Sequence, residues 1–178
     1  YLKLYIMKKI ALLLTAFVSL ASLQSCTIEE YYDDHYYDQY NQVFELSNET
    51  LSTQEDAYTY SATWNFTTPL YNGDNVLVYR WQGNSWTLVP VSYPLGAGDM
   101  VTYDYDFTRY DVKVYLSANF PVNELSNAEY NEFVYRQTFR VVVVPGAFKQ
   151  KMNFNDYNAT ISALGLENAS IKTLQIKK

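Results

Sequence analysis

From about residue 42 onward, apolar and polar side chains alternate with a period of two, the pattern of strands that bury one face. Residues 58–67 are the clearest case. Tyr58, Tyr60, Ala62, Trp64 and Phe66 fall on one face, and Thr59, Ser61, Thr63, Asn65 and Thr67 on the other. Tyr71-Asn72-Gly73-Asp74 reads as a turn. Residues 76–81 and 86–91 predict a hairpin closed by Gln82-Gly83-Asn84-Ser85. A four-residue loop sets Trp81 opposite Trp86 and Tyr79 opposite Leu88. The other face carries Val76, Val78, Val89 and Val91. Both faces are therefore apolar, which predicts a central place in the sheet, with one face serving as a binding platform as the alternative. Residues 93–99 (YPLGAGD) break the alternation and read as a loop. Val101, Tyr103, Tyr105 and Phe107 give another strand, and Val112, Val114 and Leu116 the next. Residues 119–131 read as a long polar loop, and 133–144 as the last long strand. Residues 43–46 read as a first strand at an edge.

About seven strands without a repeated βαβ pattern predict an all-β fold, an antiparallel two-sheet sandwich. A small barrel ending in a helix, of the lipocalin type, is the alternative. One short helix is expected near the C-terminus. Asp156 or Asn155 can cap it, Tyr157, Ile161 and Leu164 share one side, and Gly165 stops it. Its place is on the sandwich or over one of its ends. Residues 43–178 make a single domain with no internal repeat.

A different pattern precedes this domain. Met7-Lys8-Lys9 reads as a start, with residues 1–6 as upstream sequence, and residues 1–25 read as a secretory signal. Its apolar run, residues 10–20, is about 11 residues, where a bilayer span needs about 20. Leu23-Gln24-Ser25-Cys26 resembles the lipobox of bacterial lipoproteins, although Gln24 is less usual at its position. That resemblance implies lipid on Cys26, cleavage before it, and a membrane held through acyl chains. Residues 26–42 follow as an acidic, tyrosine-rich tether with no aliphatic residue after Ile28. Glu29 and Glu30 sit where Bacteroidetes lipoproteins carry an export signal to the cell surface. Together with FRVVVVPG (139–146) and DYNATISALGL (156–166), these features resemble small lipoproteins of Bacteroidetes. The resemblance implies an outer-membrane address facing the cell exterior, and a fold, but no activity.

Charge and composition narrow the chemistry. Cleavage before Cys26 removes Lys3, Lys8 and Lys9 and leaves ten basic and 19 acidic residues, a charge of −9. Such a chain repels phosphates, so a nucleic acid partner is not expected. Cys26 is the sole cysteine, which removes internal disulfides from the fold and thiol catalysis from the function. His35 is the sole histidine and lies in the tether with Asp33, Asp34 and Asp38, too few ordered ligands for a firm metal site. No Ser-His-Asp arrangement, metalloprotease motif or phosphate loop is present, and no cofactor is implied. Asp104, Asp106 and Asp111 are the carboxylates a glycoside hydrolase would use, with a solvated strand face as the simpler reading. The expected function is a non-catalytic module binding a glycan or a protein; an envelope assembly component is the alternative. Tyr79, Trp81, Trp86, Tyr93, Phe120 and Tyr130 are the candidate binding residues, because exposed rings offer flat amphipathic surfaces.

Overall fold

The computed structural model describes residues 42–177. Cys26, the expected signal at 1–25, residues 26–41 of the expected tether and His35 lie outside the described residues. Among the described residues ten strands form two antiparallel sheets, with no closed barrel, so the sandwich is the architecture found.

The four-stranded sheet has the order β1 (Val43–Glu49), β9 (Gln137–Val144), β4 (Asn75–Trp81), β5 (Trp86–Leu88). The larger sheet runs β10 (Gln175–Ile176), β3 (Thr59–Asn65), β8 (Asp111–Ala118), β7 (Asp99–Phe107), β6 (Val91–Gly96). The short β2 (Thr53–Gln54) also pairs with β3. The main core lies between the sheets, where Trp64, Val76, Val78, Tyr103, Val114, Leu116, Phe139 and Val141 are buried. Trp64 of one sheet meets Phe139 of the other with ring centroids 6.4 Å apart. Alternation makes this possible: Val112, Val114 and Leu116 turn inward while Lys113, Tyr115 and Ser117 turn out.

The expected register of the aromatic hairpin is present, with Tyr79 opposite Leu88 and Trp81 opposite Trp86. Its expected central place is not. β4 is interior, but β5 is an edge strand of three residues. The second apolar face of β4 has a different cause. Leu77 and Tyr79 belong to a separate cluster, closed by Leu164 and Leu166 at and just beyond α2 (Tyr157–Ala163). α2 is the expected C-terminal helix, capped by Asp156, with Gly165 at φ 65° just past its end.

Two expected loops are structured. Residues 119–131 hold a 3-10 turn (Val122–Glu124) and most of α1 (Asn127–Phe133), so the last long strand starts at Gln137 rather than at 133. α1 begins in a capping box, in which Ser126 and Glu129 satisfy each other's backbone N–H groups. Residues 93–99 continue as β6 through an irregularity between Pro94 and Gly96. They then reverse at Ala97-Gly98, where both φ angles are positive. Two positive φ values match the right-handed twist of a hairpin, so the alternation ends without the sheet ending.

Candidate functional site

The outward face of the four-stranded sheet is covered at one end and open at the other. At the covered end Tyr79 is fully buried. Its hydroxyl donates to the Phe154 carbonyl at 2.8 Å and lies 3.1 Å from Thr160 Oγ1. Burial pushes this phenol up to about 12, against the lowering effect of the Thr160 bond. Tyr79 is therefore enclosed rather than presented at the surface. It holds Tyr157 edge-on, with ring centroids 5.1 Å apart.

Beyond Tyr157 the cover ends and the hairpin tip is exposed. Trp81 and Trp86 face each other across β4 and β5 with centroids 4.9 Å apart, and Trp86 lies 5.6 Å from Tyr157. Trp81 keeps 37% of its surface in solvent. Arg140, on the same face of β9, fixes the group. Its guanidinium stands 4.4 Å from the Trp86 ring centre and 5.3 Å from that of Tyr157. It donates to the Tyr157 hydroxyl at 2.6 Å, and Nε and Nη2 both reach Glu45 Oε2 at 3.0 Å. Cation–π contacts of this kind contribute about 0.5–2 kcal/mol and orient rings as well as hold them.

These three rings border a groove of about 640 Å³. Polar groups complete it: Asn84 and Ser85 from the hairpin loop, Asn153, Asn155 and Asp156 from the stretch leading into α2, and Asn158 from its first turn. Amide side chains both donate and accept, so the groove can pair with neighbouring hydroxyls of either sense. Asp156 is the carboxylate among the described residues that line it, and its Oδ1 already accepts the Ala159 N–H at 3.0 Å.

The other expected residues lie elsewhere. Tyr93 is half-buried, its ring 5.5 Å from that of Phe133, and borders a second cleft near the same hairpin. Phe120 packs on the main core. Tyr130 stands exposed on α1, outside the residues that line the groove. Asp104 and Asp106 accept from the N–H groups of the residues that follow them. Asp111 is held by Thr108 at 2.6 Å and by Lys177 at 2.9 Å, and these bonds, Thr108 first, keep its carboxyl below the ordinary range. Among the described residues no three of His, Cys, Asp and Glu gather as metal ligands, and no helix is long and apolar enough to cross a membrane.

Sequence reasoning missed Arg140 and the asparagines at 153, 155 and 158. Arg140 interrupts the run of apolar residues at 139–144, which was its one signal. The asparagines gave none as ligands, because their meeting with Trp86 is a product of the fold. No family model matches the chain, and no curated protein or solved structure is significantly similar to it.

Proposed function

We propose that this chain is a lipid-anchored protein of the outer membrane, facing the cell exterior, whose sandwich domain binds a glycan without cleaving it. The observation that carries the binding reading is the Trp81–Trp86–Tyr157 group, in which Arg140 packs on Trp86 and Tyr157 and which shares a groove with four asparagines. A sugar ring has an apolar C–H face and a rim of hydroxyls. Stacked aromatics fit the first and amides the second, whereas a groove for a lipid would lack the amides. The non-cleaving reading is supported by Asp156 being the one carboxylate that lines the groove among the described residues, and by its engagement as a helix cap. Glycoside hydrolysis ordinarily takes two. The anchor rests on Leu23-Gln24-Ser25-Cys26 and the charged, apolar and polar regions ahead of it.

A panel of immobilised oligosaccharides tests the binding reading. Retention of the protein should fall at least about tenfold in Trp86→Ala, the loss of one stacking contact of roughly 1.4 kcal/mol. Tyr110→Ala, remote from the groove, should retain wild-type binding. Unchanged retention in Trp86→Ala would remove the groove from consideration. For the anchor, Cys26→Ala should stop incorporation of labelled fatty acid and release the protein from membranes.

A further inference from the structure

A second cleft, of about 340 Å³, adjoins the groove, and Trp81 borders both. At its inner end lies Arg80, only 5% exposed. Arg80 follows Tyr79 in β4 and so points the other way, in between the two sheets. Its guanidinium sits among three rings, 4.7 Å from the centre of Tyr103, 5.1 Å from Tyr93 and 5.5 Å from Phe133. Nε and Nη2 donate to Gln137 Oε1 at 3.1 and 3.0 Å, and Nη2 donates to the Glu132 carbonyl at 2.8 Å. The acceptors are thus an amide and a backbone carbonyl, both neutral. Among the described residues no carboxylate stands within ion-pair distance of Arg80, and Nη1 donates to none of them. A buried cation without a counter-charge is costly, and native proteins normally pair it.

The rim carries a second cation. Arg136 is exposed and borders the cleft, and its φ is 52°. That left-handed conformation strains any residue with a Cβ, and glycine or asparagine would adopt it more readily. Strain kept at the mouth of a cleft points to a use for the side chain there. Glu132 also borders the cleft, but its contact with Arg80 is through the backbone.

We propose that the glycan taken by the Trp81–Trp86 groove carries an anionic group, a carboxylate or a sulfate ester, which Arg80 and Arg136 receive in the adjoining cleft. This rests on the glycan-binding reading. The neutral rings stack at Trp81 and Trp86, and the charged substituent reaches around Trp81. Its oxygen supplies the counter-charge that Arg80 lacks, in a charge-assisted bond from Nη1.

The test is a set of matched oligosaccharides probed with the full chain in detergent at about 50 mM salt, where exposed charges are weakly screened. Each uronate-bearing member stands beside its methyl ester, each sulfated member beside its desulfated form, and an octaglutamate peptide serves as a non-sugar anion. The acidic member of a pair should be retained about fivefold more than its neutral partner, the size of one partly exposed charge contact. Which pairs show this separates carboxylate from sulfate. The ratio should fall toward one in Arg136→Gln and Arg136→Gly and persist in Arg136→Lys. Arg136→Gly should also raise the melting temperature, because it relieves the strained backbone; a purely structural arginine would not move the acid-to-neutral ratio. Arg80→Met is the stricter variant, and the Arg136 series decides if it fails to fold. Equal retention of acidic and neutral partners overturns this inference and leaves the glycan-binding reading standing. Stronger retention of octaglutamate than of any sugar overturns it in favour of an acidic protein. Retention of no sugar overturns both.

Discussion

On the larger sheet, the face turned away from the core carries Ser61, Asp104, Lys113, Tyr115 and Ser117; on the smaller sheet the equivalent face carries Leu77, Tyr79, Leu88 and Val142. The first face is finished with short-range polar contacts. Glu55 bridges Lys113 at 2.7 Å and Ser61 at 2.6 Å, and Lys177 reaches Asp111. The second is apolar and needs a third layer, which α2 and the residues around it supply. That layer is shorter than the sheet. Where it stops, the apolar face continues into Trp81 and Trp86, and the groove lies there. The difference teaches that an exposed aromatic surface can arise as the uncovered remainder of a buried one. Its rings are the continuation of a packing pattern, and only the bordering amides and Arg140 mark it as something more.

Removing the largest ring between the sheets should cost most. Trp64→Ala should lower unfolding free energy by about 3–5 kcal/mol in a urea titration, whereas Trp86→Ala should cost well under half of that. Equal costs would mean that the outer layer is as integral as the core. Tyr79→Phe comes next. It leaves the Phe154 carbonyl without its donor and should cost about 1–2 kcal/mol. Hydrogen exchange should accelerate in α2 and not in β3 or β8, since the two sheets are covered independently.

Tyrosine ionisation separates the same layers. Burial raises the phenols of Tyr79, to about 12, and of Tyr103, and in both it is the largest cause. A raised folded value means that their contribution to stability is complete below the unfolded value near 10. It is lost as pH rises through the folded value. Tyrosinate absorbance should therefore show a late phase accompanied by unfolding, reduced in amplitude in Tyr79→Phe. The smallest effect belongs to the polar face. The Asp111 carboxyl is lowered by Thr108 and then Lys177, so its stabilisation is present above the unfolded value near 4 and fades as pH falls. Asp111→Asn should cost under about 1 kcal/mol at neutral pH and nothing at low pH. A cost that persists in acid would show that the side chain matters for packing rather than charge.

The sandwich was readable because alternation is a local signal, and Trp64, Val114 and Tyr103 each turned inward as their parity required. The hairpin register was readable from loop length alone. The place of β5 was not, because an apolar outer face looks the same whether a sheet or a helix covers it. α1 was hidden in a polar stretch where periodicity is silent, and Ser126-x-x-Glu129 was its one visible mark. Of the groove, Trp81 and Trp86 were legible, while Tyr79 had the same type and spacing and is buried under α2. Asn153, Asn155 and Asn158 could not be assigned to it, since about 70 residues of chain separate them from the tryptophans they meet.

The order β1-β9-β4-β5 also sets how the domain bears load. A pull on the chain ahead of Gln42 enters the sheet at β1, and a pull on a molecule of the kind proposed for the groove enters through Trp81 of β4 and through Trp86, which the hairpin loop ties covalently to β4. Two hydrogen-bond ladders lie in series between them, spanning roughly 10 Å at the usual strand spacing. The β9–β4 ladder pairs six residues, and the β1–β9 ladder pairs five, its register shifted between Leu46 and Glu49. The β1–β9 seam is therefore the mechanical fuse of the domain.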